Sequence, residues 1–203
     1  MSSPPHPSVQ LIKALQSHNV LSTLVLNNTG IGLSECATLA QWLLSPTCSL
    51  EVLDIGENNI TSEGTQIIIT TLCQNCTLCE LGMSHLDISG QLRISVFGRP
   101  LVSLDLMNCG IGPEEACEVA RTLYSNTVLE SLDLSLNSIE DRGAIALADM
   151  LLHNKKLKHL YLWDFFRSFT AKGTQALLQS LEHNNTLRTL MLSKIELPHE
   201  ISD

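Results

Sequence analysis

Three cysteines with regular spacing are the side chains in this chain that most invite a chemical interpretation. Cys73, Cys76 and Cys79 are each separated by two residues. Thiolates at such spacing can ligate zinc or form disulfides. A structural zinc site, however, usually takes four ligands in two separated pairs, and the sequence nearby offers neither a second pair nor a histidine cluster. We therefore expect reduced structural thiols, with no metal and no cofactor.

Motifs for catalysis are missing from the sequence. There is no Gly-x-Ser-x-Gly nucleophile motif, no His-Glu-x-x-His zinc motif and no Gly-x-x-x-x-Gly-Lys-Ser/Thr phosphate loop. The seven histidines are scattered along the chain. We therefore expect a protein that is not an enzyme.

Carboxylates and aromatic rings indicate recognition instead. Asp54, Asp105 and Asp133 each follow a leucine and precede a second leucine or isoleucine, and Glu130 lies close to the last of them. Alternation along a strand turns these carboxylates away from the apolar side. They are candidates for steering a basic protein partner. The alternative is that Leu-Asp-Leu is simply a common form of this segment.

Aromatic side chains are concentrated in one short stretch. Five of the eight in the chain lie within nine residues, from Tyr161 to Phe169. Tyr161 and Trp163 alternate with the leucines and are candidate partner-binding anchors, or else incidental surface aromatics. We expect Phe165 and Phe169 to belong to the core.

A six-residue pattern that recurs along the chain determines where these side chains lie. A segment of the form Leu-x-x-Leu-x-Leu, with isoleucine or methionine in the last position of two copies, occurs seven times at spacings of 29, 28, 23, 28, 28 and 30 residues. The copies begin at Leu21, Leu50, Leu78, Leu101, Leu129, Leu157 and Leu187. A period of this length is the signature of a leucine-rich repeat solenoid. Such proteins work mainly through their surface, because each repeat packs its apolar side chains against its neighbours.

Each repeat combines two periodicities. Leu132 and Leu134 alternate with polar residues as in a strand, whereas Ala144, Leu147 and Leu151 follow helical spacing. The sequence therefore predicts an α/β horseshoe arc, with seven parallel strands on the concave face and helices on the convex face. The repeat that begins at Leu78 is five residues short of the usual 28, so we expect little helix between Ile88 and Pro100.

A polar position follows the strand in several repeats. Asn58, Cys109 and Asn137 occupy it, and we expect them to form a structural ladder that satisfies backbone groups in neighbouring turns. Thr29 at the same position can do so in part, whereas Leu86, Phe165 and Ile195 cannot. Gly64, Gly143 and Gly173 recur at helix entry, where a positive φ or a close approach would require glycine.

The chain resembles the ribonuclease-inhibitor-like leucine-rich repeat family over residues 9–197. The resemblance rests on Leu-x-x-Leu-x-Leu-x-x-(Asn/Cys)-x-Ile followed by Gly or Ala, and on the Asn-Cys-Gly-Ile stretch at 108–111. It implies a non-enzymatic module that binds a protein on its concave face, as in the repeat domains of NOD-like receptors or in ribonuclease inhibitors. The alternatives that it implies are a regulator of a small GTPase and a tropomodulin-like cytoskeletal binder.

Composition narrows the partner and the location. The formal net charge is −9 with only 12 lysines and arginines, which argues against nucleic acid and favours a basic protein partner. Residues 1–8 lack the features of a secretory signal, and no apolar run approaches the length of a membrane span. We therefore expect a cytoplasmic protein that does not bind membranes.

The expected domain organisation is one repeat domain between two tails. We expect residues 1–8 to form a disordered tail, residues 9–197 the repeat domain, and residues 198–203 a C-terminal tail. The first and last repeats are incomplete and carry no polar cap, so the chain is expected to continue or pair at its uncapped ends.

Overall fold

The computed structural model describes residues 10, 12, 14, 19–90, 100–165 and 168–193, and these residues alternate between short strands and helices. Seven strands form one sheet, in which each strand pairs in parallel with the next along the chain. They are β1 (Thr23–Val25), β2 (Val52–Asp54), β3 (Glu80–Gly82), β4 (Ser103–Asp105), β5 (Ser131–Asp133), β6 (His159–Leu162) and β7 (Thr189–Leu192). The predicted α/β solenoid with purely parallel pairing is confirmed.

Helices connect most of the strands. Within the described ranges they are α1 (Leu33–Leu43), α2 (Ser62–Leu72), α3 (Pro113–Leu123), α4 (Glu140–His153) and α5 (Ala171–Leu181). Neighbouring helices pack on each other, α1 on α2, α3 on α4 and α4 on α5. The expected loss of helix between Ile88 and Pro100 falls mostly on residues 91–99, which lie outside the described residues, so it stays a prediction.

The core lies between the sheet and the helices. In β2, β4 and β5 the central leucine is buried, while the residues on either side of it are half-buried. The central residues of all strands stand in one register, formed by Leu24, Leu53, Leu81, Leu104, Leu132, Leu160 and Leu190. The neighbouring positions in each strand therefore form the opposite face, which we call the concave face.

Close packing explains the glycines at helix entry. At Gly143 a Cβ atom would lie 2.7 Å from the Cβ of Ala116, and at Gly64 it would lie 2.7 Å from Cγ2 of Ile60. Neither glycine has a positive φ. Of the two reasons that the sequence left open, the structure therefore supports close approach between neighbouring parts of the solenoid.

Local sequence also defines where the helices begin. The Glu35 carboxylate accepts the backbone N–H of Gly32 at 2.9 Å, and Glu115 accepts that of Gly112 at 3.1 Å. Both contacts satisfy an N–H group that the helix itself leaves without a partner, and they place a negative charge at the positive end of the helix dipole. These helices therefore start at a fixed position after the preceding strand. The length of the connection from strand to helix is fixed in the same way.

Candidate binding surface

The turn after each strand is held by a ladder of buried side chains. The Asn58 Oδ1 atom accepts the backbone N–H groups of Thr29, Gly30 and Ile31 at 2.9–3.2 Å. Its Nδ2 atom donates to the carbonyls of Leu26, Ile55 and Gly56. Asn58 thus joins its own turn to the turn of the preceding repeat.

The other two predicted ladder residues occupy the same position. Asn137 accepts from the N–H groups of Cys109 and Ile111 and donates to the carbonyl of Leu106 at 2.8 Å. The thiol of Cys109 donates to the carbonyl of Met83 at 3.1 Å. Burial raises the pKa of Cys109 to about 12, so this cysteine stays a neutral donor.

A second asparagine ladder was missed by the sequence analysis. Asn75, Asn154 and Asn184 are buried in the connections that lead into β3, β6 and β7. The side chain of Asn154 donates to the Leu123 carbonyl at 2.6 Å and accepts from the N–H groups of Lys156 and Leu157. The signal was present in the sequence, because Asn126, Asn154 and Asn184 recur at intervals close to the repeat length.

The predicted aspartates form a column on the concave face. Asp105 is the register partner of Asp133 on the next strand, while Gly82 stands between Asp54 and Asp105. Each carboxylate accepts the N–H group two residues further on, at 2.9 Å for Asp54, 2.9 Å for Asp105 and 2.7 Å for Asp133. The aspartates therefore terminate the strands as well as charging the surface.

The electrostatics of this column centre on Asp105. Desolvation raises the pKa of the Asp105 carboxyl, and the charges of Asp133 and Asp54 raise it further. The hydrogen bond from the backbone N–H of Met107 lowers the pKa of Asp105, but the net shift is upward. Gly82 contributes no side chain that would separate Asp54 from Asp105. Mutual repulsion of this kind is relieved when a cation binds.

Glu130 differs from the aspartates in having partners of its own. Its two carboxylate oxygens lie 2.6 Å from the Nζ atoms of Lys156 and Lys158. Hydrogen bonds from these two lysines lower the pKa of Glu130 to about 2. The negative charge of Glu130 is therefore balanced by these two lysines, and Glu130 attracts a basic partner less strongly than the aspartates do.

Tyr161 and Trp163 follow the predicted alternation. Leu160 and Leu162 are buried, whereas Tyr161 and Trp163 are half-buried. Tyr161 is the register partner of Asp133, so the acidic column continues directly into the aromatic stretch. The structure thus brings Asp105, Asp133 and Tyr161 together on three neighbouring strands.

The prediction that Phe165 belongs to the core is wrong. Phe165 is 70% exposed, and its ring meets the Trp163 ring edge-on with centroids 4.2 Å apart. The buried side chain at this turn is Asp164, which accepts the N–H of Ser168 at 2.8 Å. Phe169 is half-buried and packs against the core, as predicted. Phe166 lies outside the described residues.

The three regularly spaced cysteines lie in different parts of the repeat. Cys73 caps the end of α2, Cys76 is exposed in the following connection, and Cys79 precedes β3. Each thiol donates to a nearby backbone carbonyl at 3.4 Å. Among the residues that the structure describes, no group of three or more His, Cys, Asp or Glu side chains is arranged to hold a metal ion.

The parallel strands, the buried leucine register and the asparagine ladder define a leucine-rich repeat solenoid. The family model described as "Leucine Rich repeat" matches residues 48–66, 99–114 and 125–148. The chain has the leucine-rich repeat fold, and its repeats are similar to those of ribonuclease inhibitors and of NACHT, LRR and PYD domains-containing proteins.

The similarity to these relatives extends over most of the chain. Ribonuclease inhibitor of Mus musculus is 31% identical over 193 residues, which cover 92% of this chain and 42% of the relative. NACHT, LRR and PYD domains-containing protein 14 of Mus musculus is 31% identical over 191 residues, which cover 91% of this chain and 18% of the relative. The chain therefore spans less than half the length of these relatives.

A solved structure of leiomodin-1 actin-binding site 2 aligns with 96% of this chain and 83% of its own length, with 17% identity and a TM-score of 0.49.

No helix within the described parts of the chain has both the length and the apolar character needed to cross a membrane.

Proposed function

We propose that this chain is a non-enzymatic protein-interaction module that binds a basic protein partner on its concave face. The partner contacts are Asp54, Asp105, Asp133, Tyr161 and Trp163, with a minor contribution from Glu130. A relative named ribonuclease inhibitor acts, by its name, on a protein, which supports a protein partner for this chain as well.

The observation that carries the proposal is that the acidic column and the aromatic residues are neighbours in the register of the sheet. Asp133 lies in register between Asp105 on one side and Tyr161 on the other. All three residues belong to strands of one hydrogen-bonded sheet, so their spacing is fixed before a partner arrives. Preorganised carboxylates next to aromatic anchors favour a partner that presents cationic side chains.

Position-specific photocrosslinking tests this proposal. A benzoylphenylalanine residue replaces Tyr161 in one variant of the full chain and Tyr124 in a control. Tyr124 follows the end of α3 and is 50% exposed, so the control label is also accessible. Both variants are expressed in cells of the source organism and irradiated. We expect a partner of high isoelectric point to crosslink at Tyr161 and not at Tyr124, whereas the reverse pattern would contradict a concave site.

A further inference from the structure

A partly exposed group of apolar residues lies where β5 and β6 end. We call Leu136, Trp163 and Phe165 the rim cluster. The N–H of Leu136 donates to the carbonyl of Trp163 at 2.7 Å, which brings the two strand ends together. Phe165 stands edge-on against Trp163 and exposes 70% of its surface. Adjacent aromatic rings that are partly exposed, such as those of Trp163 and Phe165, are typical of sites that bind apolar side chains.

Leu136 occupies a backbone conformation that does not suit leucine. Its φ is 57°, and the equivalent residues of four other repeats, Asn28, Glu57, His85 and Asn108, also have positive φ. Asparagine tolerates this left-handed region, because its short polar side chain bonds locally, but leucine does not. Leu136 is only half-buried, so core packing gives little compensation. Because the same positive φ recurs at this position in five repeats, the turn itself imposes it, and leucine here places a large apolar side chain at a partly exposed turn.

The position of the rim cluster relative to Asp133 defines what it can hold. Tyr161, the register partner of Asp133, lies two residues before Trp163 and on the same face of the strand. Two residues along a strand correspond to about 6.6 Å. An extended peptide repeats its side chains at the same interval on one side. Asp133 and Trp163 are therefore separated by about 4.8 Å across the strands and about 6.6 Å along them, which is about 8 Å on the diagonal. Two side chains that stand two residues apart in one extended segment can reach both.

We infer that Asp133 and the rim cluster together hold an extended segment of the basic partner. A lysine or arginine of this segment binds the Asp133 carboxylate. A leucine, methionine or phenylalanine two residues away packs against Trp163, Phe165 and Leu136. The inference rests on the proposed function and adds to it the motif that the partner must present, a cation followed or preceded at two residues by a large apolar side chain.

Selection from a displayed library of random peptides of about twelve residues tests this motif. The chain has two tryptophans, and Trp42 is only 1% exposed, so a Trp42→Phe variant leaves Trp163 as the fluorescent reporter of binding. We expect the selected peptides to carry the cation and the apolar residue two positions apart and to change Trp163 fluorescence. Selected peptides that lack the apolar residue, or that leave the fluorescence unchanged, would overturn the inference.

Variants of the full chain separate this inference from the proposed function. Phe165→Ser and Asp133→Asn should each weaken the selected peptides by about tenfold or more, while Tyr124→Ser, which removes an exposed aromatic elsewhere, should not. Leu136→Asn should raise the melting temperature and still weaken binding, because it relieves the backbone and removes the apolar contact. If only Asp133→Asn weakens binding, the rim cluster is wrong and the proposed function stands. If no peptide is selected, or if no concave variant has an effect, both are wrong.

Discussion

The carboxylates of Asp105 and Asp133 stand side by side on the concave face, because these residues are register partners in the parallel pairing of β4 with β5. Each carboxylate is anchored by the N–H group two residues further on. The two charges therefore cannot move apart without breaking a strand end. The surface stores electrostatic repulsion that a bound cation would relieve.

Replacing Asp105 with Asn should change how stability depends on pH. The pKa of Asp105 is raised in the folded chain, by desolvation and then by Asp133 and Asp54. Above the unfolded value of about 3.9, the folded chain holds this proton more tightly than the unfolded chain does, so the charged carboxylate opposes folding as pH rises. Urea melts from pH 4 to pH 7 should show the stability of Asp105→Asn gaining on wild type with increasing pH.

A second aspartate serves as a control of opposite sign. A side-chain and a backbone hydrogen bond from Ser89 lower the pKa of Asp87. Its charged form therefore favours folding, and this stability is lost as pH falls through the folded pKa. In melts that extend below pH 4, Asp87→Asn should lose ground to wild type as pH rises towards the unfolded value of about 3.9 and then stay level with it up to pH 7. Parallel pH profiles for both variants would contradict the electrostatic assignment of Asp105.

The first ladder should be tested at two adjacent asparagines. Asn58 is buried and bonded to backbone groups of two turns, whereas Asn59 is exposed. Asn58→Ala should reduce the free energy of unfolding by about 2 kcal/mol or more, since each buried group left without a partner costs about 1–3 kcal/mol. Asn59→Ala should stay within about 0.5 kcal/mol of wild type. Equal effects in urea melts would show that Asn58 has no special structural role.

The second ladder allows a test of the two hydrogen bonds that the Asn154 amide donates. In Asn154→Asp the carboxylate can still accept from the N–H groups of Lys156 and Leu157, but it faces the carbonyls of Leu123 and Asn126, to which the Asn154 amide donates. We expect a loss of about 2 kcal/mol or more at pH 7, from desolvation and repulsion. Because the protonated acid can donate, the loss should shrink as pH falls towards 4. A loss of stability that does not depend on pH would mean that the two donated hydrogen bonds contribute little.

Most of the fold could be predicted from the sequence, because the leucine period fixes both the strand spacing and the side that faces the core. Asn58 and Asn137 could be placed for the same reason. The exposure of Phe165 could not be predicted from the sequence. Phe165 stands at the ladder position of its repeat, but the turn after β6 buries the neighbouring Asp164 and leaves Phe165 exposed. Nor does the period reveal that Glu130 is balanced by two lysines, which requires the lengths and directions of side chains in neighbouring repeats.

Reversing one charge of the acidic column should act mainly on association. Asp133→Lys replaces an attractive charge by a repulsive one on the surface that a basic partner approaches. The association rate of the partner identified by crosslinking should fall, and its dependence on salt should weaken, while dissociation changes less. Surface plasmon resonance at several salt concentrations measures all three. An unchanged association rate would mean that the aspartates only terminate their strands.

The most direct test of the concave site is the affinity of the same partner for Trp163→Ala. Truncating an aromatic anchor commonly removes about 2 kcal/mol of binding free energy, which is about a thirtyfold increase in Kd. Trp163 is half-buried and lies outside the leucine register, so its loss should leave the melting temperature close to that of wild type. Tyr124→Ala is the control on the helical side. A thirtyfold weaker Kd for Trp163→Ala with the control unchanged is the predicted result, and unchanged affinity in Trp163→Ala would contradict binding through the concave face.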